Sequence, residues 1–199
     1  MKLSEAEWFT KIYRKIYDVL NAESMLPPPD QITILRPADV KVRDTVHGLC
    51  WKEEKMIWFR EQPPPPLFFA HELLHLIDKD IKLEEVYAYN LSSLAVILAK
   101  KDIVPKKNII RLFDVNEEQL LQAIRKAYNY NFKSLEDYFA FIGVIPHVFE
   151  FEFSDGQYRL KRSKYYDEKA VVIATITELI AAAEFGDMVA LNAILNLLI

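Results

Sequence analysis

Two histidines and a glutamate are the residues of this chain best placed to do chemistry. His71 and His75 stand four positions apart, and Glu72 directly follows the first of them. On an α-helix, side chains at i and i+4 lie on the same face, so both imidazoles can bind one Zn²⁺ ion. Glu72 then lies beside the open coordination position, where a carboxylate can act as general base. The pattern predicts a catalytic zinc site.

The residues around this pattern predict a helix with a polar front and an apolar back. At about 100° per residue, His75 lies within about 40° of His71, whereas Phe69 and Leu73 lie on the other side. Proline fits the first turn of a helix, where its missing N–H is not needed. We therefore expect a helix over about residues 66–79.

A catalytic zinc ion needs a third protein ligand, and Glu85 is the favoured candidate. It opens a second predicted helix, over about residues 83–100, and the small residues Ala88 and Ser92 follow it at i+3 and i+7. Small side chains on that face would let the two helices approach closely enough for a short carboxylate to reach the metal. The alternatives are Glu84, Asp78, Cys50, or no third ligand in this set.

The segment before the histidine helix predicts one long helix and a small antiparallel sheet. A capping box of Ser4 and Glu7 and an apolar i+4 repeat predict a helix over about residues 4–21. Three runs rich in β-branched and aromatic residues, QITILR, TVHGLCW and KMIWFR, predict strands, and residues 52–55 predict the hairpin turn between the last two.

The second half of the chain reads as mostly helical. Helices are predicted over about 107–113, 116–130 and 134–142, with Asn116 and Ser134 as N-caps. Alternating residues and the Asp155-Gly156 turn then predict a hairpin over about 147–161. Two nearly all-apolar helices follow, over about 169–185 and 187–198, and we expect them to be buried in the domain or in a homodimer interface.

Composition restricts the class of protein. The 199 residues are 51% hydrophobic and 27% charged, which is typical of a globular domain rather than a disordered chain. The net charge of −4 gives no general attraction to nucleic acid or to anionic lipid, and no apolar run is long enough for a membrane span. A single cysteine and the absence of a signal-like N-terminus predict a cytoplasmic protein.

The stretch GLCWKEEKMIWFREQPPPPLFFAHELLHLI resembles the ImmA/IrrE-type zinc metallopeptidases. In that family a short hairpin leads into a helix that starts with a Phe-x-x-Ala-His-Glu-like sequence. The segment EEVYAYNLSSLAVILAKKDIVP is similar to the family's third-ligand helix, and the resemblance covers about residues 46–125. The same features fit small archaeal-type gluzincins.

The resemblance implies an α+β, zincin-like fold in one metallopeptidase domain. We expect a zinc-site subdomain over residues 1–104 and a helical subdomain over 105–199. Zinc would be held by His71, His75 and Glu85, with Glu72 as general base and a peptide or protein as substrate. Because gluzincins often use a downstream histidine or tyrosine on the reaction intermediate, His147 is a second catalytic candidate.

Two other functions compete with this interpretation. A Cys50 ligand would move the chemistry toward that of peptide deformylases, which also place a cysteine before their histidine pair. A partner-binding or latent regulatory protein on the same scaffold is the non-catalytic alternative. An intact Glu72 argues against the latter, because a structural zinc site needs no general base.

Overall fold

The computed structural model describes residues 1–77 and 85–199, and nothing is described of the side chain of Val86. It is an α+β protein with two compact units, Met1–Ile109 and Ile110–Ile199. The sequence analysis places a boundary nearby, between residues 104 and 105. Among the described residues, no helix is both long enough and apolar enough to cross a bilayer.

The described residues of the first unit form a small sheet, three α-helices and short 3-10 helices. The strands are β1 (Thr33–Leu35), β2 (Gly48–Trp51) and β3 (Met56–Phe59), and the helices are α1 (Ile12–Leu20), α2 (Pro66–His75) and α3 (Glu85–Lys100). Helix α2 packs against α1, α3 and strand β2. The helix that carries the histidine pair is therefore held from several sides.

The sheet is mixed, so the prediction of an antiparallel sheet was wrong for one of its strands. The strand order is β1-β3-β2, with β3 antiparallel to β2 but parallel to β1. Strand β3 takes the centre because Ile57, Trp58 and Phe59 are all buried there. The predicted β2–β3 hairpin with its turn at 52–55 is confirmed.

The N-terminal helix is shorter than predicted, and its capping box does not form. The amide of Leu3 donates to the carbonyl of Ile32, and that of Ile34 to the carbonyl of Met1, so the first residues run alongside β1. Glu5, not Glu7, accepts the nearby backbone N–H of Lys2. The chain forms a short 3-10 turn at Leu3–Glu5 after this pairing, and α1 begins only at Ile12.

Helix α2 ends earlier than predicted, at His75. The amide of Leu76 bonds back to the carbonyl of Leu73 as the helix tightens. Leu76 and Ile77 are both buried, which ties the chain down directly after the histidine pair.

The second unit contains helices and one separate hairpin. The elements are α4 (Glu117–Tyr128), α5 (Leu135–Ile142), β4 (Phe149–Ser154), β5 (Gln157–Arg162), α6 (Glu168–Glu184) and α7 (Met188–Leu198). The N-caps at Asn116 and Ser134 and the Asp155-Gly156 turn are confirmed. The predicted helix near 107–113 is a 3-10 helix, Ile109–Asp114.

The two apolar C-terminal helices bury much of their surface within the second unit. Helix α7 packs against α4 and α6, and α6 also packs against α4. Asp187 caps α7 by accepting the backbone N–H groups of Val189 and Ala190. The expected burial is confirmed, and the homodimer stays a prediction.

Candidate metal centre and active site

The structure brings together the three side chains favoured as ligands. One ligand atom from each of His71, His75 and Glu85 lies within 4.8 Å of the others. The two Nε2 atoms are 3.1 Å apart. Nε2 of His71 is 2.9 Å from Glu85 Oε2, and Nε2 of His75 is 3.5 Å from Glu85 Oε1.

These spacings fit a tetrahedral metal ion. Zinc binds histidine nitrogen and carboxylate oxygen at about 2.0–2.2 Å, which places neighbouring donor atoms of a tetrahedron about 3.3–3.5 Å apart. The spacing of the two histidine nitrogens, 3.1 Å, and their contacts with the two oxygens of Glu85, 2.9 Å to Oε2 and 3.5 Å to Oε1, are of that order. The group could hold one divalent ion and leave a fourth position open.

Local structure explains why these donors converge. Helix α2 places His71 and His75 on one face through the i, i+4 relation. Glu85 is the first residue of α3, which packs on α2. Ala88 and Ser92 are fully buried on α3, as expected of small residues at a close helix contact.

The alternative ligands are Cys50, Asp78 and Glu84. Cys50 lies on β2 in the same cleft but is not a member of the described cluster. Burial, reinforced by the charge of Glu72, raises the pKa of its thiol to about 12, so the thiolate that metals bind is disfavoured. Asp78 and Glu84 lie outside the described residues.

Glu72 is a buried carboxylate at the edge of this cluster. Only 6% of the residue is exposed. Burial and the negative charge of Glu85 raise the pKa of Glu72 to about 8. Such a carboxyl group exchanges a proton near neutral pH, which suits a general acid and base.

Burial and the neighbouring His75 lower the pKa of His71. This shift favours the neutral imidazole, which is the form that binds metal.

The cluster opens into a cleft of about 570 Å³ within the first unit. One wall is the chain from Thr45 to Cys50, which includes most of β2, and the other comes from α2 and the start of α3. The His47 ring lies flat on Phe68 in this cleft, with ring centres 4.8 Å apart. The cleft therefore combines an exposed strand edge with the histidine pair and Glu72.

Tyr89 is a site residue that the sequence analysis did not single out. It lies one turn after Glu85 on α3, lines the cleft, and is 46% exposed. Its ring packs against His71 with a centroid distance of 4.5 Å. Its i+4 spacing from Glu85 could have indicated that Tyr89 lies at the site, but only once Glu85 had been assigned as a ligand.

The second nitrogen of His71 has no polar support among the described residues. Its Nδ1 is buried without a hydrogen-bond partner there. In most metal sites that nitrogen donates to a carboxylate or a carbonyl, which fixes the ring. The described contacts of the His71 ring are with His75, Glu85 and Tyr89.

His147 belongs to the second unit, where it is exposed and its ring packs edge-on against Tyr166. Its catalytic role stays a prediction.

No protein-family model, no curated protein and no solved structure matches the chain.

Proposed function

We propose that the protein is a zinc-dependent peptidase of the gluzincin type, with a zincin-like arrangement of its first unit. The observation that carries the proposal is the convergence of His71, His75 and Glu85 beside the buried Glu72. Two carboxylates and two neutral imidazoles carry about two negative charges when both acids are ionised, which a divalent cation balances. A structural metal site would need a fourth protein ligand rather than a carboxylate poised at its edge.

In this proposal His71, His75 and Glu85 would hold the zinc ion. When bound, zinc supplies Lewis-acid chemistry, acidifying a water molecule and polarising the carbonyl of the peptide. Its positive charge would also favour the ionised form of Glu72 over the neutral form that burial favours.

Glu72 performs both proton transfers. Its carboxylate accepts a proton from the water as the oxygen attacks the carbonyl carbon. The same carboxyl group then donates that proton to the leaving amine as the carbon–nitrogen bond breaks. The low exposure of Glu72 keeps bulk water from competing for the proton.

Tyr89 is the proposed donor to the oxygen that becomes negatively charged. Its phenol is exposed in the cleft while its ring rests on His71. A hydroxyl group at such a position can stabilise the developing oxyanion by a hydrogen bond. Tyr89 therefore competes with His147 for the role that the sequence analysis gave to the latter.

The free edge of β2 is the proposed binding surface for an extended peptide. No strand of the described residues pairs with that edge, and the edge forms one wall of the cleft. A peptide added there would form backbone hydrogen bonds with the sheet, which is a common mode of peptide binding.

The test compares wild type with Glu72→Gln, both loaded with Zn²⁺. A random peptide library is incubated with each protein, and its products are read by mass spectrometry. We expect one zinc per chain in both proteins, with cleavage by wild type and a rate at least about 10³-fold lower for the variant. A zinc-loaded wild type that cleaves nothing would instead support the partner-binding alternative.

A further inference from the structure

Strand β2 crosses directly over Glu72 at Gly48. A Cβ atom added to Gly48 would lie 2.5 Å from Oε1 and 2.8 Å from Cδ of Glu72. Ordinary van der Waals contact begins near 3.4 Å, so an alanine at this position would collide with the carboxyl group. Glu72 is buried on α2, which packs against β2, and it lines the cleft, so an added side chain would shift its carboxyl group.

The backbone of Gly48 gives no other reason for a glycine. The glycines with positive φ are Gly143, Gly156 and Gly186, and Gly48 is not among them. Glycine inside a strand weakens it, because it adds backbone entropy to the unfolded chain and has no side chain to pack. The missing side chain itself is therefore the useful property here.

We infer that Gly48 is the positioning residue for Glu72: its lack of a side chain lets the carboxylate sit directly beneath the edge strand. This inference rests on the proposed function for its catalytic consequence. The contact between Gly48 and Glu72 stands independently of that function.

The hydrogen-bond pattern of the sheet determines the direction in which the backbone groups of Gly48 point. The Arg60 amide donates to the His47 carbonyl at 3.0 Å, and Gly48 is paired with Phe59. Bonded and non-bonded pairs alternate in an antiparallel ladder, so Gly48 directs its own N–H and C=O groups to the free edge.

A peptide bound at that edge would pair with the backbone of Gly48, immediately beside the Glu72 carboxylate. A side chain at position 48 would push the carboxylate away from the peptide bond that is to be cut. Gly48 thus couples the position of the bound peptide to the position of the general base.

The first experiment is a stability cycle that needs no substrate. Gly48→Ala is made in wild type and in Glu72→Ala, and thermal unfolding is followed by circular dichroism for all four proteins without metal. Overpacking of this kind should lower the Tm of the wild-type background by about 3–10 °C. The same substitution should cost little in Glu72→Ala, because the colliding carboxyl group is gone.

The second experiment measures cleavage by zinc-loaded Gly48→Ala. A displacement of about 1 Å at the general base should lower kcat by about 100-fold, with KM much less affected. Zinc content should stay at one per chain, because the ligands are untouched. Thr33→Ala, on the opposite edge strand of the same sheet, is the control and should keep nearly wild-type kcat.

The outcomes separate the two hypotheses. Equal Tm losses in both backgrounds, or a Gly48→Ala protein with wild-type Tm and kcat, would overturn the inference about Gly48. A wild type that cleaves no peptide would overturn the proposed function, while the stability cycle would still decide whether Gly48 seats Glu72.

Discussion

Each unit of the protein contains a cluster with two glutamates, and the two clusters are built differently. In the second unit, Arg162 bonds both carboxylates, with its Nε 2.8 Å from Glu136 and its NH2 group on Glu117. In the first unit, Glu72 and Glu85 lie beside His71 and His75, and the two histidines form with Glu85 a group that could hold a metal ion.

The two clusters differ in what surrounds their carboxyl groups. The guanidinium group of Arg162 supplies the positive charge that its two carboxylates need, and their side chains are 30%, 22% and 21% exposed. In the first cluster, burial and the negative charge of Glu85 raise the pKa of Glu72 to about 8. His71, His75 and Glu85 of this cluster could hold a cation from outside the chain.

The largest expected effect is the loss of metal on removal of a histidine. The zinc content of His75→Ala should fall from about one ion per chain to almost none, because the two remaining ligands hold the ion weakly. Glu117→Gln, in the second cluster, should keep the full zinc content. Plasma emission spectroscopy after dialysis measures both, and equal zinc in all three proteins would contradict the assignment of the site.

Removal of the third ligand should come next in size. Glu85→Ala should weaken zinc binding by more than about 100-fold, since loss of a direct ligand exceeds the effect of losing a supporting residue. Cys50→Ser should bind zinc as wild type does. Competition with a chelating dye measures the zinc affinities. If Glu85→Ala keeps its zinc affinity and Asp78→Ala or Glu84→Ala loses it, the third ligand is Asp78 or Glu84 and not Glu85.

Removal of the positive charge of Arg162 in the second cluster should lower the stability of the protein rather than its metal binding. Arg162→Met leaves two partly buried carboxylates without their partner and should cost about 2 kcal/mol of unfolding free energy. Lys161→Met, which breaks exposed pairs on the β4–β5 hairpin, should change stability little. Urea unfolding compares the two variants, and equal losses would show that burial is not the deciding factor.

The smallest effect should come from Tyr89. Tyr89→Phe keeps the ring on His71 but removes the hydroxyl donor, so kcat should fall about 10-fold with unchanged zinc content. Tyr89→Ala should also weaken zinc binding by about 10-fold, because the ring that packs on His71 would be lost. If His147→Ala lowers kcat and Tyr89→Phe does not, His147 is the donor.

The β4–β5 hairpin shows what an alternating sequence pattern predicts and what it does not. Phe149, Phe151 and Phe153 alternate with glutamates, and the alternation correctly predicts the strand. Phe149 is buried, whereas Phe151 and Phe153 are 58% and 63% exposed. The periodicity identifies an apolar face but not how much of it other elements cover.

Errors in the prediction arose where distant segments compete for the same backbone groups. The capping signal at Ser4 is local, and the bonds that Met1 and Leu3 form with the β1 segment override it. The parallel pairing of β1 with β3 is likewise non-local, since β2 lies between them in sequence. Local turns, such as 52–55 and Asp155-Gly156, were predicted correctly because a few adjacent residues suffice to form them.

The sequence by itself determined that His71 and His75 share one helix face with Glu72 between them, because helix geometry fixes i and i+4 neighbours. Only the tertiary structure decided that Glu85 reaches the pair, that Tyr89 packs on His71, and that β2 passes over Glu72 at Gly48. Those contacts depend on how helices and strands distant in sequence pack together. The raised pKa of Glu72 follows from the same packing, because burial and the charge of Glu85 are properties of the folded chain.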